Sequence, residues 1–202
     1  MGRVDLTEPY SLRQMRRQVK ESMQAHGEEV IIFPLYHASV DRDAPRCPNC
    51  YDDIYSNSGQ AHCPVCYGTG FEGAYKGKYR GWALLGVTDQ AEQKRNRGEY
   101  MPTDGSVNFE GLPVLAENDI FVRVRSWSQD HRPLDIEGIY RIDQVRVDSL
   151  RTGNVFAQLP SASVGQRSNY IRLDDNSPFY QMLSDGTLSD QYRVDRYDGE
   201  QR

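Results

Sequence analysis

The chain has 202 residues, with 24 Lys and Arg against 29 Asp and Glu and a formal net charge of −5. That length buries roughly 70% of the unfolded surface, enough for one true core, and the acidic balance speaks against a dedicated nucleic-acid binder. The hydrophobic fraction is 38% and the mean hydropathy is −0.73, a polar composition that favours long loops, tails or surfaces ordered by partners. The longest apolar stretches, 82–87 and 30–33, fall far short of the roughly 20 residues that span a bilayer. The start, Met1-Gly2-Arg3-Val4-Asp5-Leu6, carries no hydrophobic leader core, and Leu6 departs from the myristoylation pattern. These features predict a protein made and kept in a reducing cytoplasm, with no membrane partner.

A helix is expected from Ser11, a plausible cap, to Gly27, a plausible stop. Leu12, Met15, Val19 and Met23 recur at helical spacing and share one narrow face. Such a stripe suits a helix laid on a sheet or on a neighbouring subunit. Residues 29–39 read as a strand: Val30, Ile31, Ile32 and Phe33 form a buried run, and Pro34 marks a bend or an edge.

Four cysteines follow, in two pairs: Cys47-Pro48-Asn49-Cys50 and Cys63-Pro64-Val65-Cys66. Two cysteines three apart on a tight turn aim both sulfurs at one point, and a second such turn completes a tetrahedron around Zn²⁺. Pro48 and Pro64 preset φ after the first cysteine of each pair. Gly68 can take a positive φ and turn backbone amides toward the sulfurs. Two disulfides are the alternative, and they require an oxidising compartment. Four thiolates close the metal shell, so the zinc is structural and not catalytic. His62 is a candidate substitute for one thiolate. The second half, Cys63 to Gly70, resembles the zinc-binding repeats of DnaJ-type chaperones. The first half lacks the glycines, so only zinc binding carries over.

A second strand is expected at 74–87, which makes the zinc module an insertion at the tip of a hairpin. Residues 88–102 are polar and read as a long loop, and Thr103-Asp104-Gly105 as a turn. In 118–127, Ile120, Val122 and Val124 alternate with Phe121, Arg123 and Arg125, giving one apolar and one basic face. In 138–150, Tyr140 and Ile142 have even parity but Val145 and Val147 odd, so a bulge is required near Asp143 and Gln144. A last strand is expected near 170–173. The fold class is mainly β: a small antiparallel β-barrel or sandwich with an N-terminal helix and an inserted zinc knuckle. The segments are 1–44, helix and first strand; 45–73, zinc insertion; 74–176, β-barrel domain; and 177–202, a C-terminal arm. That arm holds Phe179, Tyr180, Tyr192 and Tyr197 and either frays or orders against a neighbouring subunit.

The zinc site contributes on the order of 10–16 kcal/mol to its module. Loss of zinc is therefore expected to unfold 45–72 while the rest survives. No phosphate loop, nucleophile elbow or H-E-x-x-H motif occurs. The four histidines are scattered, and the acidic pairs such as Asp52-Asp53 and Asp174-Asp175 carry no mark of acid–base work. A non-enzymatic role is the expectation. Tyr51, Tyr55, Tyr67, Phe71, Tyr75 and Tyr79, interleaved with Lys76, Lys78 and Arg80, keep a nucleic-acid-binding zinc ribbon open as an alternative. They are equally the miniature core of a knuckle.

The stretch from Cys47 to Gly73, with Tyr51-Asp52-Asp53 after the first pair and Tyr67-Gly68-Thr69-Gly70-Phe71-Glu72-Gly73 after the second, resembles virion proteins of tailed bacteriophages. In particular it is similar to head–tail connector or head-closure proteins of the neck. The resemblance implies a homo-oligomeric ring, hexamer or dodecamer, between the portal or adaptor and the tail-terminator proteins. The implied role is to join head to tail and to retain or gate the DNA, with residence in the virion and in the host cytoplasm during assembly. It leaves open a baseplate or tail structural protein. It also implies that Arg123 and Arg125 meet acidic neighbours or passing DNA, against the simpler role of a solvated sheet face.

Overall fold

The computed structural model describes residues 9–52, 57–58, 62–86, 105–149, 163–181 and 195–196. Six strands close into an antiparallel barrel: β1 (Glu28–Phe33), β4 (Tyr79–Gly86), β5 (Gly105–Glu110), β6 (Ile120–Trp127), β7 (Pro133–Ser149) and β8 (Ser163–Arg172). Their order around the wall is β1-β6-β7-β8-β5-β4, and β4 pairs back to β1. The short pair β2 (Tyr51–Asp52) and β3 (Asn57–Ser58) stands apart, between the two cysteine turns. A two-residue strand, β9 (Asp195–Arg196), adds in parallel to Tyr79 and Arg80 of β4.

Two apolar layers explain the sequence pattern. The barrel interior holds Val30, Ile32, Ala83, Val107, Phe109, Leu115, Phe121, Tyr140, Ile142 and Tyr170. Phe121 is its hub: its ring stacks on Tyr140 at 5.2 Å and meets Phe109 and Tyr170 edge-on at 5.3 and 5.8 Å. A second cluster lies on the outer face of β1, β6 and β7, where Ile31, Phe33, Ile120, Val122, Val124 and Ile139 gather. Leu35, Tyr67 and Ala74 cover it from the cysteine module, and Leu173, Phe179 and Tyr180 from the chain after β8. Strand β1 is buried on both faces, which is why Val30–Phe33 is an unbroken apolar run.

The alternation along β6 holds: Ile120, Val122 and Val124 share one face, against the outer cluster, and Phe121 of the other face enters the barrel. Arg123 is no solvated cation: its guanidinium grips both carboxylate oxygens of Glu28 at 3.0 and 2.9 Å and reaches Glu137 at 2.6 Å. Arg125 pairs with Asp135 at 3.0 Å. The basic face is neutralised within the chain.

The bulge in β7 forms where parity demands it. The register with β8 shifts between Asp143 and Arg146, and Gln144 takes a left-handed φ of +52°. Ile142 and Val145 therefore both pack on the interior cluster. Several element limits differ from expectation, among them β7, which starts at Pro133 rather than 138, and β8, which starts at Ser163 rather than near 170. β1 stops at Phe33, because Pro34 offers no N–H to the ladder. β4 starts at Tyr79 rather than 74, since Ala74 sits at φ +63°. β5 starts at Gly105, the last residue of the expected turn, and no strand is expected at 106–110, although Val107 and Phe109 alternate with polar residues and point inward. The polar loop 88–102 and the aromatics Tyr192 and Tyr197 lie outside the described residues.

The helix α1 spans Pro9–His26, so Ser11 lies inside it and is not its cap. Proline suits the first turn, where an N–H has no helical partner. Gly27 does end the helix, its N–H bonding the Met23 carbonyl at 2.7 Å. Glycine is needed because a Cβ there would stand 2.6 Å from the Ala83 carbonyl oxygen. Met23 is buried, Leu12 and Val19 are half-buried, and Met15 is 38% exposed. The helix rests on β4, β5 and β8, with Arg16 Nε donating to the Ser163 carbonyl at 2.7 Å.

Candidate metal centre

The module grows out of the β1–β4 hairpin. The pairing of these strands ends at Ile32 with Tyr79 and resumes as an isolated bridge between Leu35 and Tyr75. Tyr36 N–H donates to Ala74 O at 3.1 Å and Lys76 N–H to Pro34 O at 2.8 Å, which makes a two-rib stalk. Above it, Arg46 bridges to Phe71, Cys47 N–H bonds Gly70 O at 2.9 Å, and Glu72 N–H bonds Pro45 O at 3.0 Å. These bonds bring the two cysteine turns face to face.

All four predicted ligands converge. The sulfurs of Cys47, Cys50, Cys63 and Cys66 lie within 4.8 Å of one another, and all four cysteines are free thiols, not disulfides. Cys47 and Cys63 sulfurs are 3.7 Å apart, and those of Cys50 and Cys66 3.3 Å. A tetrahedron of Zn–S bonds of about 2.3 Å has edges of about 3.8 Å, so the cage matches a metal of that size. Cys47, Cys63 and Cys66 are buried, while Cys50 is partly exposed. His62 is exposed and stands outside the group.

The chain also supplies hydrogen bonds to the sulfurs. Amides of Val65 and Cys66 point at Cys63, and those of Gly68 and Gly70 at Cys66. Tyr67 and Gly68 make this possible with left-handed φ values of +48° and +87°. Asn49 adds a side-chain donor, its amide donating to the Cys63 sulfur at 3.4 Å. That donor holds the Cys63 thiol down at about 6. Burial pushes Cys50 and Cys66 the other way, above the ordinary thiol range. Four thiolates packed this closely repel, and a divalent cation among them inverts that balance. The all-sulfur donor set and tetrahedral spacing fit zinc or a single iron.

The aromatics around the site are internal packing. Phe71 and Tyr67 are buried, and the Arg46 guanidinium lies over the Phe71 and Tyr51 rings at 4.3 and 5.0 Å. Tyr75 meets Phe33 edge-on at 5.3 Å, while Tyr55 lies outside the described residues. The interleaved cations are also engaged within the chain. Lys76 pairs with Asp41 at 2.8 Å and Arg80 with Glu29 at 3.1 Å, and buried Lys78 sits over the Tyr75 ring at 5.5 Å.

Sequence reasoning missed the joint between module and barrel. Asp119, 1% exposed, accepts the N–H of Leu35 at 2.8 Å and of Ala116 at 2.7 Å. His37 Nε2 stands 3.0 Å from the same carboxylate. The position of Asp119 at the entry of β6 gives no hint of partners so distant in the chain.

No protein-family model matches the chain, and no curated protein matches it.

Proposed function

We propose that the chain is a zinc-stapled structural protein, without catalysis, of the neck of a tailed bacteriophage. It acts as one subunit of a ring between head and tail that helps to retain or gate DNA. The observation that carries this reading is the closed cage of four thiols on a stalk continuous with a barrel hairpin. Such a cage leaves a bound zinc no open position for water, so its role is to hold shape. The phage assignment is supported by the resemblance of residues 47–73. A rigid projection on a small closed barrel suits a subunit whose work is contact. The partners are further copies of the chain, the portal or adaptor, the tail-terminator protein and the DNA in the channel. Native mass spectrometry with metal analysis tests the proposal. The expected result is one zinc per chain and a closed ring. A monomer whose affinity for single-stranded nucleic acid falls steeply with salt would replace this reading with the zinc-ribbon alternative.

A further inference from the structure

The chain after β8 is strapped across the base of the metal module. Leu173 N–H bonds the Ile139 carbonyl at 2.9 Å, and a turn at Asp174–Ser177 leads into a single 3-10 turn, Pro178–Tyr180. The Tyr180 hydroxyl accepts the Ile139 N–H at 3.3 Å and donates to Leu173 O at 3.4 Å. Leu173, Phe179 and Tyr180 pack on the outer cluster. This segment also reaches the knuckle itself: the Phe179 ring lies 6.4 Å from that of Tyr67, tilted by 30°. Further on, Asp195 and Arg196 pair with Tyr79 and Arg80, the first strand residues to leave the module.

Tyr67 follows the ligand Cys66 and owes its place to the cysteine turn. Its N–H closes that turn on the Cys63 carbonyl at 2.8 Å. Its φ of +48° is one that a bulky residue leaves when nothing enforces it. Val65 of the same turn packs on the cysteines instead, and Gly68, Thr69 and Gly70, which come next, carry no large apolar side chain.

We infer that the metal centre latches the C-terminal segment, with Tyr67 as the seat and Phe179 as the bolt. With the metal held, Tyr67 is fixed against the outer cluster and Phe179 packs on it. With the metal removed, the cysteine turn relaxes, Tyr67 leaves its left-handed conformation, and residues 174–181 lose one side of their seat. The metal state is thereby read by residues 173–181, which include none of the four cysteines. This inference rests on metal binding by the four cysteines, though not on the phage assignment.

Hydrogen exchange followed by mass spectrometry, on the full chain with its zinc content measured, tests the latch. Chelation is expected to speed exchange across 173–181 at least tenfold while the β5 amides, 105–110, stay slow. Tyr67→Ala and Phe179→Ala, each retaining one zinc per chain, are expected to speed the same segment with metal present, and Tyr67→Phe to leave it slow. Either alanine variant suffices if the other does not fold. If chelation loosens 45–73 but leaves 173–181 unchanged, the latch is wrong and the metal site stands. If the purified chain binds no zinc, both fall.

Discussion

Asp119 concentrates at one residue what joins module to barrel. Its carboxylate takes two backbone N–H groups, the buried one of Leu35 and the part-buried one of Ala116, and faces His37. Burial pushes its pKa above the ordinary carboxylate value of 3.8 despite those donors. Truncation to alanine strands the amides of Leu35 and Ala116, each at about 1–3 kcal/mol. Asp119→Ala should therefore lower the unfolding free energy in urea by roughly 2–5 kcal/mol. Asp119→Asn keeps one acceptor and turns a donor toward the other N–H, and should lose less. Lys78 gives a test with a pH sign. Burial lowers its pKa from 10.5 to about 8, so the folded state disfavours its charged form. Its unfavourable contribution is fully present below about pH 8 and is relieved as pH rises toward 10.5. Between those limits the wild type should gain on the order of 2 kcal/mol relative to Lys78→Met. Denaturation midpoints of the two proteins that run parallel with pH would contradict this.

At the level of elements, what could be read from the chain was what is local. The ligand set was legible because a C-x-x-C turn is complete within four residues. The bulge was legible because parity along β7 breaks within one strand, between Ile142 and Val145. The two-layer core was not, because it depends on which segment covers which face. The outward face of β6 is apolar only because Tyr67, Ala74 and the chain after β8 arrive to bury it. The Asp119–His37 joint spans 82 positions, and nothing near either residue signals the other. β5 escaped because two apolar residues, Val107 and Phe109, are too few to stand out beside the turn signal before them. The bulge also sets an expectation. Gln144 is exposed and left-handed, a conformation that costs a non-glycine residue about 1–2 kcal/mol. Gln144→Gly should be neutral or stabilising by up to about 1 kcal/mol. Gln144→Val, whose β-branch fits that φ worst, should destabilise by about 1–2 kcal/mol. Thermal unfolding of the pair decides it, and equal midpoints would mean that the bulge is not held at Gln144.

For the whole molecule, the question is how far the barrel depends on the metal. Every residue of the interior cluster comes from a barrel strand, apart from Leu115 in the loop before β6. Among the described residues, none comes from the cysteine module. The barrel interior should therefore stay closed when the knuckle unfolds. The expected independence goes no further, because the module is not remote from the apolar core. Leu35, Tyr67 and Ala74 are buried against Ile31, Phe33, Ile120 and Val122, and their withdrawal opens that face to water. Burying a large apolar side chain contributes about 1.5–3 kcal/mol, so uncovering two of them costs roughly 3–6 kcal/mol. A domain of this size is stable by only about 5–15 kcal/mol. Chelation should then leave the β-type circular dichroism in place at 25 °C, lower the melting temperature by roughly 10–20 °C, and create a surface that binds a hydrophobic dye. An unchanged melting temperature would mean that the module covers the outer cluster without metal. Complete loss of β signal at 25 °C would mean that the interior cluster alone does not hold the barrel.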